Sequence, residues 1–259
     1  MDLKGIFTDR AYSTYESQLE REVKAGVMPD HIAIIMDGNR RYAEEVLGEA
    51  PLEGHKLGRQ KLEEVLHWCL DMDIKILTVY AFSVENFGRD TDEVEYLMGL
   101  LEQSLYEFAD DPDVHERKVA IKVIGERDLL PERVQKAMDY AYERTRDYSD
   151  HILNMAIAYG GRQDIACAVR AIVQDVADGR MKADEIDEDT ISEYLSTTGM
   201  PDPDLVLRTS GEVRVSNFLL WQLAYSELYF TDVYWPGFRH IDFLRAIRTY
   251  QQRIRRFGK

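Results

Sequence analysis

Ile32-Ala33-Ile34-Ile35-Met36-Asp37-Gly38-Asn39-Arg40-Arg41 is the stretch from which the fold can be read. Five apolar residues in a row indicate a short strand buried on both faces. An acid and a glycine end the run, Asn39 is placed as a helix N-cap, and two arginines fall in the first turn that follows. A strand that passes through a glycine turn into a helix brings backbone N–H groups and the positive helix end to one point. Arginines at that point suit a phosphate group. Asp37 would repel a bare phosphate, so its presence fits a divalent cation bridging the carboxylate and phosphate oxygens. A solvated surface turn could carry the same residues, so the stretch by itself leaves both readings open.

Working outward, a second strand is expected over Ile74–Phe82. It runs into Ser83-Val84-Glu85-Asn86-Phe87-Gly88-Arg89. Leu205-Val206-Leu207 forms another strand core, followed by Arg208-Thr209-Ser210-Gly211-Glu212-Val213-Arg214-Val215-Ser216-Asn217. Further strands are expected over Val119–Ile124, Ile152–Tyr159 and Glu227–Phe230. Between them lie helical patterns, including one capped by Thr91 and Asp92, one over Arg162–Asp178 and a last one over His240–Phe257. Strands alternating with helices predict a single α/β domain with a mainly parallel six-stranded sheet flanked by helices. Residues 1–28, with Tyr12, Tyr15, Leu19 and Val23 near helical spacing, read as a short amphipathic helical arm, and 29–259 as the main domain.

Three clusters rich in Arg, Gly and Ser or Asn therefore follow strands, where open α/β sheets form their ligand crevice. Arg208, Arg214, Ser210, Gly211 and Ser216 suit a second diphosphate beside the one at Asp37. G-x-x-x-x-G-K-[ST] and G-x-G-x-x-G are both absent. The apolar stripes Leu62, Val65, Leu66, Cys69 and Val94, Leu97, Met98, Leu101, Leu105, Phe108 are core by default and could also line a pocket for a hydrophobic tail.

The chain of 259 residues carries 32 basic and 48 acidic side chains, a net charge of −16 with a sequence pI near 4.8. Such a surface excludes nucleic acid as a partner and disfavours anchoring on anionic lipid. Cys69 and Cys167 lie in apolar helical patterns and are expected to be buried thiols in a reducing cytosol. No run of about eighteen apolar residues exists, and the N-terminus lacks a signal-peptide core. A cytoplasmic protein with at most peripheral membrane association is expected. Asp110-Asp111-Pro112-Asp113-Val114 fails the D-D-x-x-D pattern of trans-prenyltransferases at its last position.

His31 to Arg41, Gly54-His55-Lys56, Tyr80 to Arg89, Asn154 to Gly161, Leu207 to Gln222 and Ala224 to Pro236 resemble the cis-prenyltransferase family, of the undecaprenyl diphosphate synthase type. The match runs in register over roughly residues 29–258 and looks archaeal in character. The resemblance implies a homodimeric, Mg²⁺-dependent transferase that condenses isopentenyl diphosphate repeatedly onto an allylic diphosphate, with geranylgeranyl diphosphate favoured as primer. It implies Asp37 as the essential acid and metal ligand, Asn86 as proton relay, and Glu227 as a metal ligand supplied by a second subunit. Gly38, Asn39, Arg40, Arg41, Tyr42 and His55 would hold the allylic diphosphate. Ser83, Val84, Glu85, Phe87 and Arg89 would border the reacting centre, and Arg208, Arg214, Val215 and Ser216 would bind isopentenyl diphosphate. The two apolar stripes would line a hydrophobic tunnel. Arg256-Phe257-Gly258 resembles a segment that closes over the site. Departures are Pro51 at a family arginine position, Val213 at a histidine position near the metal, and Tyr42 and Phe87 at tryptophan positions. Two rivals stand beside this reading. One is a non-catalytic binding subunit of a heterodimer. The other is a phosphatase with Asp37 as nucleophile, which would want an acid where Asn39 stands.

Overall fold

The opening apolar run forms β1 (His31–Ile35), buried along its whole length. In the computed structural model the backbone is described for residues 3–254 and side chains for 14–253. The other strands are β2 (Ile76–Ser83), β3 (Val119–Ile124), β4 (His151–Tyr159), β5 (Leu205–Arg208) and β6 (Glu227–Phe230). They form one six-stranded sheet in the order β3-β4-β2-β1-β5-β6, with every neighbouring pair parallel. Around it lie α1 (Leu3–Lys24), α2 (Asn39–Arg41), α3 (Pro51–Asp71), α4 (Thr91–Asp110), α5 (Pro112–Glu116), α6 (Glu132–Thr145), α7 (Gly161–Ala177), α8 (Glu188–Tyr194) and α9 (His240–Ile254). The α/β class, the six strands and their parallel order agree with the sequence reading.

β1 is central because it alone pairs with both β2 and β5, placing Ile35 beside Tyr80 and Arg208. Three strand ends, and the three polar clusters that follow them, are thereby set side by side. The main core gathers Ile32, Ile34, Leu77 and Val79 from the sheet with Leu62, Val65 and Leu66 of α3 and Leu105 of α4. Trp235 is fully buried, stacks on Phe238 with ring centroids 5.8 Å apart, and donates its Nε1–H to Gly58 O at 2.7 Å. It ties the segment after β6 to α3, and truncating such a side chain costs about 3–5 kcal/mol.

Several local details differ from expectation. Gly38, not Asn39, is the N-cap of α2. Its backbone is left-handed (φ 99°), and a Cβ there would lie 2.6 Å from Tyr234 Cδ1, so only glycine fits. The chain then winds through a π-helical turn over Tyr42–Leu47, ended by left-handed Gly48. Asp90, rather than Thr91 or Asp92, caps α4 by accepting the Asp92 N–H. Asp111 caps a further helix whose first residue is Pro112. The first helix is a long one of 22 residues, with Leu19 and Val23 buried. Cys69 is buried as expected, but Cys167 is exposed, because α7 buries the face that carries Ala168 and Ile172. The Arg256-Phe257-Gly258 segment lies outside the described residues. No described helix is long and apolar enough to cross a membrane.

Gly54 sets the distance between α3 and the loop after β1. A Cβ there would fall 1.9 Å from Asn39 O, a backbone atom that cannot yield cheaply. Gly54→Ala is therefore expected to destabilise the fold by about 1–3 kcal/mol through overpacking, read as a lowered thermal midpoint. An unchanged midpoint would show that the loop has room to move.

Candidate active site

Asp37 stands just past the end of β1, and Arg208 ends β5. Arg208 donates from Nη2 to Asp37 Oδ2 at 2.8 Å, and from Nη1 to Arg214 O (2.5 Å) and Ser216 Oγ (2.8 Å). Thr209 clamps the backbone of the acid, taking Asp37 N–H at 3.0 Å and donating to Asp37 O at 2.6 Å. Arg41 crosses from the first cluster to the third: its Nη2 donates to Ser210 Oγ at 2.7 Å and lies 3.4 Å from Asp37 Oδ1. Glu212 faces Arg41 at 3.5 Å and also pairs with Arg214. Burial works to raise the pKa of Asp37, but the bonds from Arg208 and Ser210 and the charges of Arg208 and Arg41 outweigh it. The carboxyl is held below its ordinary value.

The second cluster is organised by its own cap. Ser83 donates its backbone N–H to Asn86 Oδ1 at 2.9 Å, closing a turn that carries Glu85 and Arg89. Asn217 links it to the third cluster by donating from Nδ2 to Glu85 Oε1 at 3.0 Å. Ser210, Ser216 and Asn217 all take left-handed backbone conformations, a concentration of strain typical of functional loops.

The clusters enclose a cleft of about 570 Å³. Asp37, Asn39, His55, Ser83, Glu85, Asn86, Arg89, Arg208, Arg214 and Ser216 line it, and Gly38, Arg40 and Arg41 line an adjoining cavity of about 330 Å³. Of the other residues singled out in the sequence, Tyr42, Val84, Phe87, Val215 and Glu227 line neither. Tyr42 opens the π turn and lies beside Gly237. Phe87 turns inward and packs its ring edge-on against Phe82. Glu227 begins β6 level with Leu205, at the opposite end of the parallel sheet, and pairs with Arg253 at 2.9 Å.

Two residues were not singled out by sequence reasoning. Asn217 was visible only as the tail of the third cluster. Glu93, on α4, lies 3.1 Å from His55 Nε2, 2.8 Å from Arg89 Nη1 and 3.3 Å from Arg40 Nη1. Its signal was an acid four residues after Arg89, indistinguishable in sequence from an ordinary helix-start acid. Behind His55, α3 and α4 face each other across a small apolar cavity of about 70 Å³, with Leu62, Leu97, Leu101, Met155 and Trp235 in its wall. Val65, Leu66 and Cys69 of the same stripe are core.

The Asp37 side chain offers carboxylate oxygens as donors, and Val213 in the third cluster is exposed. An ionised carboxylate of this kind fits a hard divalent cation that keeps water and phosphate oxygens as its remaining ligands. Among the described residues, the one grouping of three metal-type side chains is His67, Asp111 and Asp113. His67 lies twelve residues beyond His55, roughly 18 Å further along α3, and has no part in the cleft.

The arrangement joins one ionised acid to two arginine-lined cavities beside an apolar space. Comparison with known proteins places the chain in a family. Residues 35–258 match the prenyltransferase family model described as undecaprenyl diphosphate synthase. The tritrans,polycis-undecaprenyl-diphosphate synthase (geranylgeranyl-diphosphate specific) of Pyrococcus abyssi is 55% identical over 254 residues, covering 98% of this chain and 96% of that protein. The protein of the same description from Thermoplasma volcanium is 49% identical over 259 residues, covering 100% of both. Lavandulyl diphosphate synthase from Lavandula x intermedia, in a crystal structure with dimethylallyl diphosphate, superposes with a TM-score of 0.81 at 36% identity, covering 86% of this chain and 95% of that one. A probable undecaprenyl diphosphate synthase from Campylobacter jejuni gives a TM-score of 0.72 at 29% identity, covering 90% and 100%.

His55 offers a direct check on the electrostatics. Burial lowers its pKa more than the Glu93 carboxylate raises it. A histidine with a depressed folded pKa binds protons more readily when unfolded, so its contribution destabilises the fold as pH falls below the ordinary value of about 6.5. An NMR titration is expected to place its midpoint below that value; a midpoint above it would mean that Glu93 dominates the imidazole.

Proposed function

The chain belongs to the undecaprenyl diphosphate synthase family of cis-prenyltransferases, and we propose that it elongates geranylgeranyl diphosphate with isopentenyl diphosphate units to a long cis-polyprenyl diphosphate such as undecaprenyl diphosphate, a precursor of glycosyl carrier lipid. The observation that carries this reading is the meeting of three strand-end clusters around Asp37. They offer two anion sites in adjoining cavities, next to apolar wall.

In this reading Gly38, Asn39, Arg40, Arg41, His55 and Arg89 hold the allylic diphosphate, with Tyr42 supporting the turn from behind. Arg208, Arg214 and Ser216, with Val215 between them, hold isopentenyl diphosphate. Asp37, with Glu227 of the partner subunit, holds Mg²⁺, which when bound neutralises charge on the departing diphosphate. Glu227 is about five residues, roughly 16 Å, below Asp37 along the sheet, so in this reading it is supplied by a second copy of the chain in a homodimer. Arg40, Arg41 and Arg89 stabilise the charge that builds as the allylic C–O bond breaks. Ser83, Val84, Glu85 and Phe87 shape the wall near the reacting carbons. Asn86, which lines the cleft, passes on the proton lost from isopentenyl C2. Water must be kept from the cation-like allylic carbon, and the apolar tail serves this by entering the space between α3 and α4, the start of the tunnel. Residues 29–259 form the catalytic unit, and the arm 1–28 stands outside the chemistry. The lipid product brings the enzyme to membranes peripherally; the cytoplasm is its compartment.

Labelled isopentenyl diphosphate, Mg²⁺ and geranyl, farnesyl or geranylgeranyl diphosphate in separate reactions test the reading. Long products are expected, most from geranylgeranyl diphosphate, and none with a chelator present. A folded protein that elongates no primer would overturn it in favour of a non-catalytic subunit.

A further inference from the structure

Glu93 is the third residue of α4, and the residue is buried. A glutamate at this position commonly folds back onto the N-cap N–H. Asp90 caps the helix here, and the Glu93 carboxylate turns inward instead, to two guanidinium groups and an imidazole from three separate segments of the chain. Oε1 accepts from His55 Nε2 at 3.1 Å and from Arg89 Nη1 at 2.8 Å, and Oε2 faces Arg40 Nη1 at 3.3 Å. Glu93 itself lines neither the cleft nor the adjoining cavity, whereas Arg89 and His55 line both and Arg40 lines the second.

The arginines of the site fall into two sets. Arg41, Arg208 and Arg214 are held by Asp37 and Glu212. Arg40 and Arg89, among the described residues, have Glu93 as their one acidic partner. Two guanidinium groups brought together in a half-buried pocket repel each other unless an anion sits between them. Each also carries rotamer entropy, which a ligand would otherwise have to remove on binding. A guanidinium has five N–H donors, so the contacts to Glu93 leave most of them for a diphosphate.

We propose that Glu93 is a positioning residue, a buried counter-ion that presets Arg40, Arg89 and His55 as a receptor for the allylic diphosphate without touching substrate. The assignment of the diphosphate rests on the proposed function; the presetting of an anion site does not. The bland alternative is that Glu93, a negative charge close behind the pocket, only weakens anion binding. The two give opposite signs.

Calorimetry with inorganic diphosphate, in the absence of added metal, compares the wild-type chain with Glu93→Gln, which keeps the shape and removes the charge. The affinity is expected to fall about tenfold. In an Arg40→Gln, Arg89→Gln background the same change is expected to alter affinity less than twofold, because the groups it positions are gone. In turnover, Glu93→Gln is expected to raise the KM for the allylic substrate about tenfold and to leave that for isopentenyl diphosphate within twofold. Glu93→Asp, which retains the charge on a shorter arm, carries the same KM comparison if the Gln variant does not fold. Unchanged or tighter diphosphate binding in Glu93→Gln, or equal loss at both substrates, would overturn the proposal. The calorimetry requires no turnover, so a failure of the enzymatic reading and a failure of this one are told apart.

Discussion

Ile35 and Arg208 are register partners on adjacent parallel strands, and that pairing fixes Arg208 opposite Asp37, two residues further along the neighbouring chain segment. The ion pair at 2.8 Å is where the sheet and the chemistry join. Arg208 is buried at 4% exposure, and a guanidinium so placed needs a partner for its charge. Asp37 supplies it, is thereby kept ionised, and still has its second oxygen turned to Arg41. Gly38 and Gly54 allow the loop that carries the acid to pass close to Tyr234 and α3. The positions of the three polar clusters follow from β1 lying between β2 and β5.

The consequence is a cleft in which carboxylates organise arginines on both sides. Asp37 and Glu212 hold one set, and Glu93 holds the other. On a chain of net charge −16, five arginines are gathered at this site and each set is neutralised locally. The apolar faces of α3 and α4 begin directly behind His55, so the polar end and the hydrophobic end of a prenyl diphosphate have adjacent places to go.

Much of this was legible in sequence. A run of five apolar residues ended by Asp-Gly can hardly be other than a buried strand meeting a turn, and period-2 and period-3.6 patterns separate the other elements. The third cluster was legible because Arg, Ser and Gly recur in one short segment. Other features were not. Asn39 and Gly38 are both acceptable N-caps, and the choice depends on Tyr234 and Ser210, which arrive from far along the chain. Glu93 looks like any acid in a first helical turn; its inward direction is set by His55 and Arg40, 38 and 53 residues earlier. Cys167 sits in an apolar pattern, yet only one face of α7 is covered, and periodicity does not say which face that is. Phe87 kept the aromatic character expected of its position but turned into the core against Phe82.

The central claim is that the Asp37 carboxylate performs chemistry as well as balancing Arg208. Asp37→Asn keeps the side-chain shape and an oxygen acceptor for Arg208 while removing the anion. Its single-turnover rate with geranylgeranyl diphosphate and labelled isopentenyl diphosphate in Mg²⁺ is the most direct measurement. We expect a folded protein whose rate falls by about 10²–10³-fold or more, the scale on which removing a single charge-stabilising group acts. A folded variant turning over at a rate near the wild-type value would contradict the account.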